Sequence, residues 1–215
     1  MGLVAYVGGS REALAGAYLN DWRIAPLTLG FYGVFSWLLS IWVHERRELR
    51  ESAECVERLR KAANTDTFTG IDNRRVAERA LHLFATGQRR YAVMMVDIDH
   101  FKAINDQHGH DTGDRILQRI AEIMKSRIRV QGKVARWGGE EFLVIVESVT
   151  RNKSASIVES LRNRVEQGTG ETVKTTISIG VAHSDSGQTA DQILKRADEG
   201  LYAAKNSGRK KVVTF

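Results

Sequence analysis

The sequence predicts an α/β domain of the α+β kind, with a mixed central sheet and flanking helices, preceded by an apolar helix and a helical stalk. Three observations predict it: an uncharged run near the start of the chain, a charged run of helical periodicity behind it, and a long remainder in which strand-like and helix-like segments alternate. The chain of 215 residues has room for one ordinary domain, because a single hydrophobic core usually serves about 100 to 200 residues.

The uncharged run covers residues 24–43 and contains no Asp, Glu, Lys or Arg. A helix of about 20 apolar residues spans a hydrocarbon layer of roughly 30 Å. Three arginines lie within residues 44–50, whereas only two basic residues precede the run, which places the carboxyl-terminal side in the cytoplasm. We therefore expect a short segment of residues 1–23 and then a transmembrane helix over 24–43 that binds the chain to the membrane. The alternative is a buried helix of a soluble core.

The charged run covers residues 44–63. Apart from the charged Glu45, apolar or small residues recur there at steps of three and four, namely Trp42, Leu49, Ser52, Val56, Leu59 and Ala63. This spacing predicts a helical stalk that pairs as a short coiled coil, with a solvated monomeric helix as the alternative. The single cysteine, Cys55, cannot form a disulfide within the chain and fits a reducing compartment.

The remainder, residues 64–215, shows the alternation of strands and helices. We predict, in order, a helix over 72–86, a strand over 91–98, a helix over 111–129, a hairpin of 133–137 and 142–147, a helix over 153–167, a strand over 172–183, a helix over 190–205 and a last strand near Val212. Two strand-helix-strand passes around a hairpin predict a mixed sheet with helices packed on one side, similar to the palm domains of nucleotide polymerases and nucleotidyl cyclases.

Acidic residues mark two turns of this domain. Gly138 and Gly139 form a tight hairpin tip, directly followed by Glu140 and Glu141. A further carboxylate, Asp97, comes where the apolar strand over 91–98 leaves the core. Mg²⁺ prefers oxygen ligands and usually takes only one or two carboxylates, with water and phosphate completing its shell. Paired glycines followed by acids are common in turns, so the hairpin alone would be a weak signal.

Five separated blocks make the pattern specific: TDTFTGIDNRR at 65–75, VDIDHFKAINDQHGHDTGDRIL at 96–117, WGGEEF at 137–142, TISIGVA at 176–182 and LKRADEGLYAAKNSGRKKV at 194–212. In this order they resemble the GGDEF family of diguanylate cyclases. The resemblance implies that two GTP molecules are condensed into cyclic di-GMP and two pyrophosphates by a homodimer. It also implies a bacterial inner-membrane protein whose catalytic domain lies in the cytoplasm.

The resemblance assigns roles to the acidic residues. Asp97, Glu141 and the main-chain oxygen of Ile98 would ligate two Mg²⁺ or Mn²⁺ ions per active site. Glu140 would join this metal shell or act as the base toward the ribose 3′-hydroxyl. A pair of cations can stabilise both the attacking oxygen and the departing pyrophosphate.

Other residues would hold the nucleotide. By the same resemblance, the backbone of residues 99–102 would bind phosphates, and Asn105 and Asp114 would read guanine, whose N1 and N2 hydrogens adenine lacks. The full set of substrate-binding residues expected in this way is His100, Phe101, Lys102, Asn105, His110, Asp114, Lys205 and Arg209. Asp111 is expected to stabilise a helix start.

One departure from the family concerns product inhibition. Members inhibited by product carry an Arg-x-x-Asp motif, and here Arg129 is followed by Gly132 in the place of the Asp. The inhibitory site is therefore incomplete, with Arg129 alone, and we expect weak or absent product inhibition through it.

Three other functions are compatible with the composition. A GGDEF-like module could bind nucleotide and signal without turnover, or a related cyclase could make an adenine-containing product, against which Asp114 argues. The net charge of +6 would also suit a palm-like module that binds nucleic acid. The basic residues are dispersed and lack a series of aromatic stacking partners, so no nucleic acid partner is expected.

Overall fold

The structure is a computed structural model that describes residues 25–87, 90–128, 132–147, 150–169, 173–185 and 187–215, with side chains from Leu29 onward. The chain divides into two units, residues 1–59 and residues 60–215. The expected segment of residues 1–23 and the residue Arg129 lie outside the described residues, so both predictions about them stay predictions.

Helix α1 covers Ala25–Asn64, and its apolar side chains are exposed on the single chain. Within the described ranges, no helix is long and apolar enough to cross a membrane. The uncharged part of α1 includes Tyr32, Ser36 and Ser40 among its apolar residues and ends at His44 and Glu45, which keeps its mean hydropathy low. The predicted transmembrane helix over 24–43 is thus not borne out in the described part of the chain.

The stalk prediction falls within the same helix. Leu49, Val56 and Leu59 are each more than 60% exposed, so the apolar seam has no partner within the described residues. Both the coiled coil and the monomeric helix are compatible with this exposure, and the coiled coil stays a prediction.

The second unit contains a six-stranded sheet. Its strands are β1 (Asp72–Asn73), β2 (Tyr91–Ile98), β3 (Gly132–Arg136), β4 (Glu141–Glu147), β5 (Ile177–His183) and β6 (Val212–Thr214). They lie in the order β1-β3-β4-β2-β5-β6. The two outer pairs are parallel, and the inner pairs are antiparallel. This confirms the predicted mixed sheet.

The helices of this unit are α2 (Arg74–Thr86), α3 (Phe101–His108), α4 (His110–Ile128), α5 (Arg151–Gly168) and α6 (Ala190–Asn206). Asp72 and Asn73, predicted as helical, form the edge strand β1, and the Asn73 side chain caps α2 by accepting from the Val76 backbone N–H. The prediction also missed α3, which ends at Gly109 in a left-handed conformation with φ of 80°.

The helices cover both faces of the sheet, so the prediction that they pack on one side was wrong. Successive strand residues point to opposite faces of the sheet, and their side chains belong to two separate hydrophobic cores. One core joins even-numbered residues of β2 and β4 to α3, α4 and α5, and the other joins odd-numbered residues of the same strands to α2 and α6. The strands are apolar on both faces, which a one-sided sheet would not require.

Helix α6 lies unusually close to β5. A Cβ atom at Gly180 would come within 2.0 Å of the Ala197 carbonyl oxygen and 2.1 Å of the Leu201 nitrogen. Only a residue without a side chain allows this approach. The contact fixes the path of α6, and its last turn therefore reaches the end of β2 where Asp97 lies.

Candidate active site

Two carboxylates face each other at the end of the central strands. Asp97 on β2 is the direct antiparallel partner of Glu141 on β4. Both belong to the odd-numbered face that packs against α2 and α6, and directly opposite residues of an antiparallel pair have neighbouring side chains. The structure therefore brings together two of the predicted metal ligands from strands 44 positions apart in sequence (141 minus 97).

Lys205 completes this arrangement from α6. Its Nζ lies 2.7 Å from Oδ2 of the buried Asp97. Burial raises the pKa of Asp97, and this is the largest effect; the Lys205 ammonium opposes it, while Glu141 and Asp99 add to it. Lys205 was predicted to bind phosphate, and the structure places it at the site with a carboxylate as its immediate contact.

Glu140 shares the same electrostatic environment. Burial is the main cause that raises its pKa, and the neighbouring Asp97 and Glu141 raise it further, whereas Lys205 lowers it. A Glu whose pKa is raised is a better proton acceptor than an exposed one, provided that it is ionised. The acidic group can thus attract a cation, accept a proton, or do both.

The donors fit a hard divalent cation. Carboxylate oxygens such as those at this sheet end are the ligands that Mg²⁺ and Mn²⁺ prefer. Among the residues that the structure describes, no group of three or more His, Cys, Asp and Glu side chains could hold a metal ion. The predicted set of Asp97, Ile98, Glu140 and Glu141 stays a prediction.

The hairpin tip is fixed by its own backbone. The Trp137 and Gly138 N–H groups both donate to the Glu141 carbonyl oxygen, at 2.8 and 3.2 Å. A Cβ atom at Gly138 would lie 2.6 Å from Oε2 of Glu141, whereas one at Gly139 would meet nothing within 4 Å. The first glycine therefore makes room for the Glu141 carboxylate, and the second leaves the tip open to a ligand.

Arg136 ties this tip to the start of the domain, and sequence reasoning missed it. Its guanidinium donates to the carbonyl oxygens of Gly138 and Gly139, the closest at 2.8 Å, and to Oδ1 of Asp66 at 3.3 Å. Asp66 also accepts from the Thr69 backbone N–H and hydroxyl. The only signal in the sequence was the position of an arginine two residues before the paired glycines.

Two side chains near β1 hold the carboxyl-terminal end of α1. The Asn73 side-chain amide donates to the Ala63 carbonyl oxygen at 2.9 Å, and Arg75 donates to the same oxygen. The connection from α1 to the sheet is therefore held by side chains of the block at 65–75.

The predicted phosphate-binding turn lies between β2 and α3. His100 is exposed and left-handed, with φ of 58°, and Lys102 is exposed. Phe101 packs in the core and can contribute only its backbone. The Asp99 N–H donates to the Thr176 carbonyl oxygen at 2.9 Å, so Asp99, counted among the backbone donors in the prediction, is not free to bind phosphate.

The predicted guanine readers meet between α3 and α4. Oδ1 of Asn105 is buried without a hydrogen-bond partner among the described residues, and a Cβ atom at Gly113 would lie only 1.8 Å from it. The exposed Asp114 follows Gly113 on α4, which begins at His110 and has Asp111 in its first turn as predicted. An unpartnered amide beside a carboxylate is a reasonable site for a purine edge.

Arg209 lies in the turn after α6. It is exposed and left-handed, with φ of 60°. The last predicted phosphate ligand is therefore available to a ligand from the same helix end that carries Lys205.

A cavity of about 790 Å³ opens at the opposite end of β2 and β5. Tyr91, Arg151 and His183 line it, and none of the predicted catalytic residues does. Burial lowers the pKa of His183, whose Nε2 contacts the Ser154 hydroxyl at 2.7 Å. This cavity and the acidic cluster are therefore separate places in the domain.

Comparison with known proteins agrees with this geometry. The family described as "Diguanylate cyclase, GGDEF domain" matches residues 63–211. Diguanylate cyclase DgcM of Escherichia coli is 35% identical over 174 residues, covering 77% of this chain and 42% of that protein. Response regulator PleD of Caulobacter vibrioides is 40% identical over 162 residues, covering 70% and 36%. The chain thus spans less than half the length of these relatives.

Solved structures are similar as well. The coiled coil and GGDEF domain of DgcB from Caulobacter crescentus, in complex with c-di-GMP, has a TM-score of 0.75 and 28% identity over 83% of this chain and 99% of that chain. Diguanylate cyclase SiaD from Pseudomonas aeruginosa, in complex with its activator SiaC, has a TM-score of 0.70 and 29% identity over 99% and 85%.

We expect Arg136→Ala to lower the free energy of unfolding by about 1 to 3 kcal/mol, because two glycine carbonyls and a carboxylate lose a charged donor. Amide hydrogen exchange at residues 138–141 should also become faster. Denaturant titration and exchange mass spectrometry measure the two effects. Arg119→Ala is the matched control, since Arg119 also donates to a glycine carbonyl but is 55% exposed. Equal effects of the two changes would contradict the role of Arg136.

Proposed function

Since the chain belongs to the GGDEF family of diguanylate cyclases, we propose that residues 60–215 condense two GTP molecules into cyclic di-GMP and two pyrophosphates. The observation that carries this proposal is the acidic cluster at one sheet end, where Asp97 faces Glu141, Glu140 shares their environment and Lys205 contacts Asp97.

Divalent cations fit this cluster. Asp97, Glu141 and the Ile98 carbonyl oxygen would hold Mg²⁺ or Mn²⁺, two per site, with Glu140 next to them. Bound there, the cations would neutralise charge on the triphosphate and make the ribose 3′-hydroxyl more acidic. The chain itself contributes negative charge at a fixed place, because β2 and β4 are paired along their length.

Glu140 is the proposed proton acceptor. It lies at the hairpin tip next to the open position of Gly139, where a ribose can approach. Burial and the neighbouring Asp97 and Glu141 raise its pKa, which increases its basicity toward the 3′-hydroxyl.

Cationic and backbone groups hold the triphosphate. Lys205, at the end of α6, contacts Asp97, and Arg209 lies in the turn after that helix. The backbone N–H groups of residues 100–102, at the start of α3, would add further donors. Together these groups would orient the α-phosphate toward the attacking oxygen.

Guanine selectivity comes from α3 and α4. The buried, unpartnered amide oxygen of Asn105 marks a place for a ligand's hydrogen-bond donor, and Asp114 can accept from the N1 and N2 hydrogens of guanine. Adenine offers neither of these two hydrogens in that arrangement, so the site favours GTP over ATP.

Two domains must meet to complete the product. One bound GTP supplies one 3′-hydroxyl and one α-phosphate, whereas the cyclic product needs two of each. Holding the two substrates in register can lower the barrier by roughly 7 to 11 kcal/mol. The exposed seam of Leu49, Val56 and Leu59 on α1 is the proposed dimer contact.

The same proposal places the catalytic domain in the bacterial cytoplasm. Its substrate is made and used there, and the free, exposed Cys55 fits a reducing compartment. Protease added outside intact cells that express the tagged chain, followed by cell fractionation, tests this location. Cleavage of the domain by the external protease would contradict it.

We expect Glu140→Gln to reduce pyrophosphate release from GTP by about 10² to 10⁴-fold, the usual effect of losing a general base. The amide keeps the size of the side chain, so GTP binding should change little. A coupled pyrophosphate assay and a GTP titration measure the two quantities. Glu122→Gln on the exposed face of α4 is the control and should leave both unchanged. Wild-type protein that binds GTP without releasing pyrophosphate would favour the non-catalytic module instead.

We expect Gly113→Ala to raise the KM for GTP by roughly tenfold or more, with a smaller effect on kcat. The new Cβ would displace the Asn105 side chain, whose Oδ1 and Cγ lie 1.8 and 2.9 Å from its position. The same substitution in an Asn105→Ala background should cost little further, because the displaced group is gone. Additive losses in the double variant would show that Gly113 acts by another route.

We expect replacement of Leu49, Val56 and Leu59 by Glu to give a monomer whose specific activity falls steeply on dilution, since two domains must collide. Light scattering and activity at a series of protein concentrations measure this. Arg58→Glu, an exposed change on the same helix, is the control. A monomer with undiminished activity at every concentration would rule out the dimer proposal.

A further inference from the structure

Asp99 is a buried carboxylate with an unusual set of contacts. Only 3% of the residue is exposed. Its Oδ1 accepts from the Ser178 hydroxyl at 2.6 Å, and its Oδ2 accepts from the Thr176 hydroxyl at 2.6 Å and from the Lys210 backbone N–H at 3.1 Å. All three donors are neutral, and among the described residues Asp99 makes no ion pair. Burial of a carboxylate is unfavourable unless hydrogen bonds satisfy it, and here both oxygens are satisfied.

These contacts depend on the acceptor oxygens of Asp99. Both side-chain oxygens act as acceptors, and an ionised carboxylate is the short side chain that offers two acceptors. An Asn could keep the Lys210 N–H bond through its single oxygen, because its NH₂ group can donate to the Ser178 hydroxyl oxygen. An Ala offers no acceptor and loses all three bonds. Because both oxygens are engaged, Asp99 is not placed to ligate a cation as well.

The third donor belongs to a strained turn. Arg209 and Lys210 are consecutive non-glycine residues in the left-handed region, with φ of 60° and 50°. Such residues cost on the order of 1 kcal/mol each or more and persist only where neighbouring contacts hold them. The Arg209 N–H donates to the Ala204 carbonyl oxygen at 3.1 Å, and the Lys211 carbonyl oxygen accepts from Ile179 at 2.9 Å.

Asp99 closes this turn from the other side. Its bond to the Lys210 N–H links the end of β2 to the turn, and its bonds to Thr176 and Ser178 link it to β5 and to the residue just before that strand. The turn is therefore held against the strand that carries Asp97, two residues away. If Lys210 left the left-handed region, the direction of the neighbouring Arg209 side chain would change.

We propose that Asp99 is a positioning residue that holds the left-handed turn of Arg209 and Lys210, so that Arg209 is directed at the triphosphate. Asp99 touches neither substrate nor cation itself. The inference rests on the proposed function, because it assumes that Arg209 binds phosphate. It goes beyond that function by assigning a role to a carboxylate that the reaction does not use directly.

The decisive variant is Asp99→Ala in the full chain, because it removes the acceptor of the Lys210 N–H. The dissociation constant for GTP should rise about tenfold, the effect of losing one charged contact to phosphate, whereas the dissociation constant for guanosine should not change. Guanosine has no phosphate, so it reports only on the base site of Asn105 and Asp114. Equal losses for GTP and guanosine would show a general structural defect and overturn the proposal.

Double variants test whether Asp99 acts through Arg209. Arg209→Ala alone should weaken GTP binding by a similar factor, and Asp99→Ala together with Arg209→Ala should bind GTP no more weakly than Arg209→Ala alone. Additive losses would contradict the proposed route.

A second pair of variants covers the case in which Asp99→Ala does not fold. Lys210→Pro removes the backbone N–H and forces φ to about −65°, so it breaks the same link while Asp99 keeps its two hydroxyl partners. Lys210→Gln is the control, because it keeps the N–H and loses only the ion pair with Glu166. Lys210→Pro should weaken GTP but not guanosine binding, and Lys210→Gln should weaken neither; equal behaviour of the two variants would overturn the proposal.

These measurements separate this inference from the proposed function. Wild-type protein that binds no GTP, or binds it without releasing pyrophosphate, would count against the cyclase proposal. Wild-type protein that turns over GTP, combined with an Asp99→Ala variant of unchanged GTP affinity, would overturn the role of Asp99 alone.

Discussion

The fold of the second unit has to hold like charges together. Asp97 and Glu141 face each other across β2 and β4, and Glu140 adds a third carboxylate. Two like unit charges about 5 Å apart repel by roughly 3 kcal/mol at an effective dielectric constant of 20. Backbone pairing along seven residue positions of β2 and β4 keeps them in place, and the Lys205 ammonium offsets part of the repulsion. Such a concentration of negative charge attracts cations, and a polyanionic substrate could bind through those cations.

The cation that faces this cluster depends on a packing detail far from it. Lys205 reaches Asp97 because α6 lies directly on β5, and that approach needs Gly180 under Ala197 and Leu201. Asp99 then fixes the turn that follows α6. The two ends of the positive wall are thus set by different contacts: the helix by close packing, and the turn by a buried carboxylate. In the proposed mechanism, Asp99 would therefore act without contacting the substrate.

The features that the sequence predicted correctly are those that a local pattern of residues encodes. The buried strand over 91–98 was predicted to the residue, and the hairpin over 132–147 nearly so, because apolar runs and paired glycines are local signals. The acidic residues were also singled out from those signals and from the motif, and two of them, Asp97 and Glu141, are direct strand partners; their role as metal ligands stays a prediction. Contacts across long separations were not found. Arg136 and Asp66 are 70 positions apart, and Asp99 and Lys210 are 111 apart, so no periodicity relates them.

Burial on both sheet faces was missed for a related reason. A fully apolar strand is compatible with two layers of helices. The amphipathic pattern of a helix, however, does not show which face of the sheet the helix covers. The short helix α3 was missed because its end depends on Gly109, which could equally end a turn.

Arg136 links the hairpin tip to the residues that directly follow α1. Asp66 follows α1 by two residues, and Arg136 joins it to the carbonyl oxygens of Gly138 and Gly139. Glu140 is the next residue, so a change in the direction of the chain at Asp66 would reach the proposed base through one side chain. In the proposed dimer, two such tips would have to be aligned before either 3′-hydroxyl could reach the other nucleotide. Control of their orientation would then be control of the proposed reaction, and the Arg136 link would serve it.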